Sequence, residues 1–199
     1  LICIPEWRKE QIFTVASQTA TQYVDTYPIM VMDITNKMGI KLRPYSQLTP
    51  RELSGLKKLL GPKLKDGFWL NGSKNGVRVD NIFYNDAIQP IERQKFTVAH
   101  ELGHAVLDHS EESDLAEAEA NLFASYILAP PELIHLIQPE DYIDIASKFQ
   151  LSKSCASFAF NRYKRWLKKK ENSENKDIPE YELKMVSTYQ NCFKIAVNW

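Results

Sequence analysis

Residues 100–104 read His-Glu-Leu-Gly-His, and no other stretch of the 199-residue chain constrains its fold as much. Four residues on a helix of 3.6 per turn rotate by about 400°, so histidines at that spacing return to nearly one face. His100 and His104 can then hold one metal ion. Glu101 follows the first histidine, where its carboxylate can hold an attacking water, take its proton and pass it to a leaving amine. Zinc suits such a donor set and lowers the pKa of its water to about 7. Val98, Leu102, Ala105 and Val106 give this helix an apolar face, and buried ionisable groups need partners. The chain has four histidines in all, so the pairing stands out.

An open, catalytic site wants a third protein ligand, whereas a structural zinc wants four. His109, Glu117 and Glu119 are candidates. A short link around residues 109–112 makes the two flanking helices antiparallel neighbours. With the turn centred between Ser110 and Glu111, His104 lies level with Glu117, and His100 with Asn121. Glu117 and Asn121 are four apart, hence on one face. Glu117 is therefore expected as the third ligand and Asn121 as the group that orients the His100 ring. Glu119 points about 200° away and reads as solvated. His109 reads as a turn residue, because loops hold ligands less well than helices. No fourth candidate is placed as well, which favours the open site. Tyr84 and Tyr126 are candidate oxyanion or substrate contacts.

The rest of the chain alternates helix and strand signals. Helical spacing covers residues 7–26, and Pro28 opens a short helix that Gly39 stops. Residues 40–45 read as a strand. Thr49-Pro50-Arg51-Glu52 starts a helix that runs to Leu60 and ends at Gly61-Pro62. Strands over 67–71 and 77–84 flank the turn-rich residues 71–76. The strand over 77–84 precedes the metal-site helix and is a candidate edge for strand addition by a peptide, or else a plain core strand. Helices follow from Pro90 to about Leu107 and from near Ser113 to Pro130-Pro131, then two more between 139 and 170. A polar linker comes after Lys170, and an apolar tail over 186–199 should pack back. The expected class is α+β: mainly helical, with a small three-stranded antiparallel sheet packed on the HExxH helix.

Lys and Arg total 25 and Asp and Glu total 25, a balance that argues against non-specific nucleic-acid or membrane-surface binding. The balance hides opposites, because 108–119 is acidic and 148–170 is basic. Cys3, Cys155 and Cys192 form no disulfide framework, and no stretch of eighteen apolar residues occurs. The first residues do not read as a secretory signal. A cytoplasmic protein without membrane attachment is the expectation.

Arg93-x-x-Phe96-Thr97-x-Ala99-His100-Glu101-Leu102-Gly103-His104 resembles the ImmA/IrrE family of metallopeptidases. So do Glu117-x-x-Ala120-Asn121-x-Phe123-Ala124, Ile127-Leu128-Ala129-Pro130, and the strand with Ile82 and Asn85. The resemblance spans about 28–165. It implies a gluzincin-like domain with metal ligands His100, His104 and Glu117 and the base Glu101. The cofactor implied is Zn2+, with Mn2+ or another divalent ion able to occupy the same donors. Members cleave transcriptional repressors of phages, mobile elements or stress responses, so a repressor is the expected protein substrate. The expected organisation is a metallopeptidase domain over 1–138, a helical pair over 139–170 packed on it, and a linker and tail element over 171–199. Residues 1–27 are too short for the helix-turn-helix domain that some members carry.

A rival reading uses the basic helices over 141–170 as a DNA-binding or partner-binding element, with the metal site structural or inactive. The apolar stripe Ala156, Ala159, Phe160, Tyr163, Trp166 and Leu167 glues this segment to a core instead, and makes DNA binding the weaker reading.

Overall fold

Local chemistry sets most element ends. The computed structural model describes residues 3–61, 66–109, 111–172 and 178–196. Pro62, Ser110, the middle of the expected linker (173–177) and the last residues of the expected tail (197–199) lie outside the described residues. Helix α1 (Glu6–Tyr23) turns Ile12, Ala16 and Ala20 inward, and the short α2 (Val31–Lys37) buries Val31 and Ile34. Strand β1 (Lys41–Pro44) leads to α3 (Pro50–Leu60). There Thr49 accepts from the Glu52 N–H at 3.2 Å, and the Glu52 carboxylate accepts from the Thr49 N–H at 2.8 Å. That reciprocal cap satisfies two donors the first turn would otherwise leave open.

Strands β2 (Gly67–Lys74) and β3 (Val77–Tyr84) form an antiparallel hairpin. Its loop is only Asn75-Gly76, with φ of 54° and 75°. Two left-handed residues make the turn whose twist matches the strands, and Asn-Gly is the pair that adopts it most cheaply. Strand β2 thus runs past Asn71, where the turn signals suggested it would stop.

The sheet is mixed, which corrects the antiparallel expectation. Its order is β1-β3-β2, and β1 runs parallel to β3 with Lys41 opposite Asn81. The chain crosses over through α3 before it returns as β2, and parallel pairing requires such a crossover. Alternation along one strand carries no information about its neighbour's direction. Strand β3 is central among the described strands, so of the two readings of residues 77–84 the plain core strand holds, and the edge strands are β1 and β2.

Helices α4 (Ile91–Val106) and α5 (Asp114–Leu128) are the antiparallel pair. The Ser113 side chain accepts from the Ala116 N–H at 3.1 Å and starts α5 where expected. A further helix, α6 (Pro131–Ile137), was not anticipated. The Pro130-Pro131 pair does close α5, but Pro131 then occupies the first position of α6, where its missing N–H costs nothing. Helices α7 (Tyr142–Phe149), α8 (Lys153–Glu171) and α9 (Glu180–Ala196) complete the described chain.

One core joins these layers. It runs from Ile12 and Ile34 through Ile82, Val98 and Leu102 to Phe123, Ile127 and Ile145. The expected returning tail is α9, which begins at Glu180 and buries Met185 and Tyr189 completely. Each such side chain contributes roughly 1.5–3 kcal/mol by leaving water. Among the described residues no helix is long and apolar enough to cross a membrane. The three cysteines are free.

Candidate metal centre

The site is built on the α4–α5 pair. Gly103 lets the two helices approach closely: a Cβ there would lie 3.2 Å from Ala120 Cα and 3.1 Å from Phe123 Cδ1. That approach brings Glu117 over the two histidines. Its carboxylate lies 3.3 Å from His100 Nε2 and 3.4 Å from His104 Nε2, and the two Nε2 atoms are 3.0 Å apart. One donor atom from each of the three residues falls within 4.8 Å of the others. Asn121 Oδ1 stands 3.1 Å from His100 Nδ1, on the far side of that ring. The constant-sum pairing of an antiparallel hairpin therefore describes the geometry of all four residues.

Burial holds both imidazoles neutral. The His100 ring is pushed below the usual histidine range by burial, with Glu117 opposing. Burial pushes His104 down to about 4, and the neighbouring His100 and His109 add to the fall. Neutral rings keep the lone pair that a cation needs. A divalent metal fits this set of two imidazole nitrogens and a carboxylate.

Glu101 is 8% exposed. Burial raises its carboxyl to about 8, a backbone hydrogen bond from Trp69 works against the rise, and Glu117 adds to it. A carboxyl tuned near neutrality both accepts and returns a proton efficiently. Trp69 lies on the outer strand β2, so a free sheet edge and the candidate base meet at one backbone group.

The donors open into a cleft of about 860 Å³, walled by Gly67–Asn71 of β2, by α4, by residues 111–113 and by the first turns of α5. Neither candidate tyrosine lines it. Tyr126 is 2% exposed, stacks on Phe13 at 4.6 Å and donates its hydroxyl to Glu132. Tyr84 sits half-buried at the end of β3. Proximity in sequence misled here, because Tyr126 lies on the core side of α5, away from the Glu117–Asn121 face.

Two readings of single residues are overturned. Glu119 is not solvated; it is 4% exposed and accepts from Arg8 Nε at 2.8 Å and from an Arg8 terminal nitrogen at 2.5 Å. That Arg8 hydrogen bond, against the cost of burial, holds its carboxyl below the usual range. Its outward face, away from the metal site, is covered by α1, a helix distant in sequence.

His109 is not a loose turn residue. Its Nδ1 is 2.9 Å from His104 Nδ1 and its Nε2 is 3.1 Å from a Glu119 oxygen. Helix α4 ends with Asp108 at φ 53°, and the His109 N–H donates to the His104 carbonyl at 3.1 Å. This six-to-one closure with a left-handed residue before it fixes His109 as firmly as a helical position. A histidine five residues beyond His104, after an aspartate that tolerates the left-handed region, was the available signal.

The basic C-terminal helix spends several of its charges internally. Arg162 donates to the Ser125 and Ala129 carbonyls at 2.5 and 2.8 Å, where α5 leaves acceptors open. Lys169 pairs with Glu10 and Lys170 with Glu182.

Such a donor set on a helix pair beside a small sheet defines a metallopeptidase-like domain. Residues 65–161 match the family model of the IrrE N-terminal-like domain, Peptidase_M78, which supports the resemblance to the ImmA/IrrE family. The matched stretch is shorter than the span the motifs suggest. It holds β2, β3, α4 and α5 and leaves out α1, with Arg8, and α9. No curated protein matches the chain.

Proposed function

We propose that this protein is a zinc-dependent endopeptidase whose substrate is another protein. The observation that carries the reading is the Glu101 carboxylate beside the three converging donors His100, His104 and Glu117, all opening into one cleft. In this reading His100, His104 and Glu117 hold the cation. When bound, a cation of this class polarises a carbonyl and makes a water easier to deprotonate. Glu101 takes the proton of the attacking water and returns it to the amine that leaves. Asn121 keeps the His100 ring aimed.

A peptide docks by adding a strand to β2. The Asn85 N–H donates to the Asp66 carbonyl at 2.8 Å, so residue 66 faces β3. Residues 67, 69, 71 and 73 therefore present their backbone groups outward, since strand residues alternate. Glu101 occupies the Trp69 N–H. The Trp69 carbonyl and both backbone groups of Asn71 remain in position to pair with substrate. Main-chain pairing gives affinity with little sequence selectivity. The described lining residues include Glu111 and Asp114 and no lysine or arginine, which favours a segment with basic side chains.

The family resemblance supports a transcriptional repressor of a phage, a mobile element or a stress response as the substrate, in the cytoplasm. The test is to incubate the zinc-loaded protein and its Glu101→Gln variant with the repressor encoded beside its gene. Fragments from the first and none from the second support the reading. Intact repressor with both, or equal fragments from both, overturns it.

A further inference from the structure

Four side chains form one buried line behind the metal centre: His104, His109, Glu119 and Arg8. The spacings are 2.9 Å from His104 Nδ1 to His109 Nδ1, 3.1 Å from His109 Nε2 to Glu119, and 2.8 Å from Glu119 to Arg8 Nε. Only the Arg8 end is appreciably open, at 27% of its side chain, against 9% for His109 and 6% for Glu119. Arg8 comes from α1, outside the stretch that matches the family model.

We propose that His109, Glu119 and Arg8 are positioning residues that fix the tautomer and tilt of the His104 ring, so that the N-terminal helix completes the metal centre. The inference rests on the reading of His104 as a metal ligand. A neutral imidazole has one N–H and one lone pair. If the lone pair is at Nε2, toward Glu117 and the cation, the proton is on Nδ1 and needs an acceptor. His100 meets its acceptor in Asn121. His104 meets His109 Nδ1, which accepts only when the His109 proton is on Nε2. An ionised carboxylate is acceptor-only, so Glu119 holds the proton there. Arg8, a rigid donor fork, fixes both Glu119 oxygens. Each group in the line thus sets the orientation of the next, and the direction of every hydrogen bond follows from the arginine, which can only donate.

A second observation supports the same role. The His109 backbone is pinned to the His104 carbonyl by the helix-ending hydrogen bond. Side chain and main chain of one residue therefore both hold His104.

The test combines a spectrum with zinc titrations on the full chain. Nitrogen-15 shifts of the metal-free wild type at neutral pH should show His104 protonated at Nδ1 and His109 at Nε2. Zinc affinity, read by competition with a chromophoric chelator, should fall about 10- to 100-fold in His109→Leu. His109→Gln should regain part of that loss, because an amide oxygen can accept from His104 as Asn121 does from His100. Arg8→Ala should lower affinity in the same direction but less. His104 protonated at Nε2 in the metal-free protein, or wild-type affinity in His109→Leu, overturns the proposal. A wild type that takes no zinc overturns the peptidase reading instead, and the tautomer spectrum, which needs neither metal nor variant, still decides the role of the line.

Discussion

Gly103 of α4 lies directly against Ala120 of α5, with 3.2 Å between the place of an added Cβ and Ala120 Cα. The helices meet closely enough for Glu117 to reach both histidines only because position 103 has no side chain. Gly103→Ala gains about 1 kcal/mol of helix propensity but must move a backbone rather than a flexible tip, a strain of about 1–3 kcal/mol. The variant should keep helical circular dichroism, lose stability by about 1 kcal/mol in urea, and bind zinc at least 10-fold more weakly, since the donors no longer converge.

Glu101→Gln removes the proton acceptor and leaves all three donors. Zinc content should stay near that of the wild type, while cleavage of any substrate falls by at least two orders of magnitude. Metal analysis alongside a cleavage assay separates the two effects, and retained cleavage would contradict the assigned base.

Glu117→Ala and Glu119→Ala divide the site differently. The first deletes a proposed ligand with an exposed side chain, so zinc affinity should fall steeply while the fold keeps its stability. The second strands Arg8 and loosens His109. It should cost about 1–3 kcal/mol of stability, and its loss of zinc affinity should be smaller. Equal zinc affinity in the two variants would refute the ligand assignment.

Glu132 carries a pH signature far from the metal centre. It is 2% exposed, and burial raises its carboxyl to about 7, against the hydrogen bond from Tyr126 and the nearby Arg162 charge. An unfolded chain releases that proton near pH 4.3. Between there and pH 7 the unfolded state loses the proton first, so stability declines as pH rises and levels off above 7. The decline is on the order of 3 kcal/mol for this one group. Glu132→Gln should abolish it, so the variant gains on the wild type between pH 5 and pH 8 in urea midpoints. A constant difference across that range would show that Glu132 does not titrate as burial demands.

Met185 tests whether α9 belongs to the core. It is wholly buried, as is Tyr189 one turn on. Met185→Ala should lower stability by about 2–5 kcal/mol, read from thermal and urea unfolding. A cost near zero would mean that α9 packs only loosely.

Much of this site was legible because helix geometry is periodic and local. A four-residue spacing places His100 beside His104, and a short connection places Glu117 level with His104 and Asn121 level with His100. The residues Thr49 and Ser113 likewise marked helix starts through contacts within three residues. Those relationships depend on spacing alone, so they survive whatever the rest of the chain does.

What the chain could not disclose is which surface covers which. Glu119 looks solvated until α1 brings Arg8 onto it from 111 residues away. Tyr126 looks near the site until its face of α5 turns toward Phe13 of α1. Strand β3 reads equally as an edge or a core strand until β1 pairs with its other side. In each case the deciding partner comes from a distant segment, and its arrival is set by packing of the whole core rather than by any local preference. Helix periodicity was enough to bring His100, His104, Glu117 and Asn121 together, whereas Arg8 behind them and the order of the sheet strands depend on long-range packing.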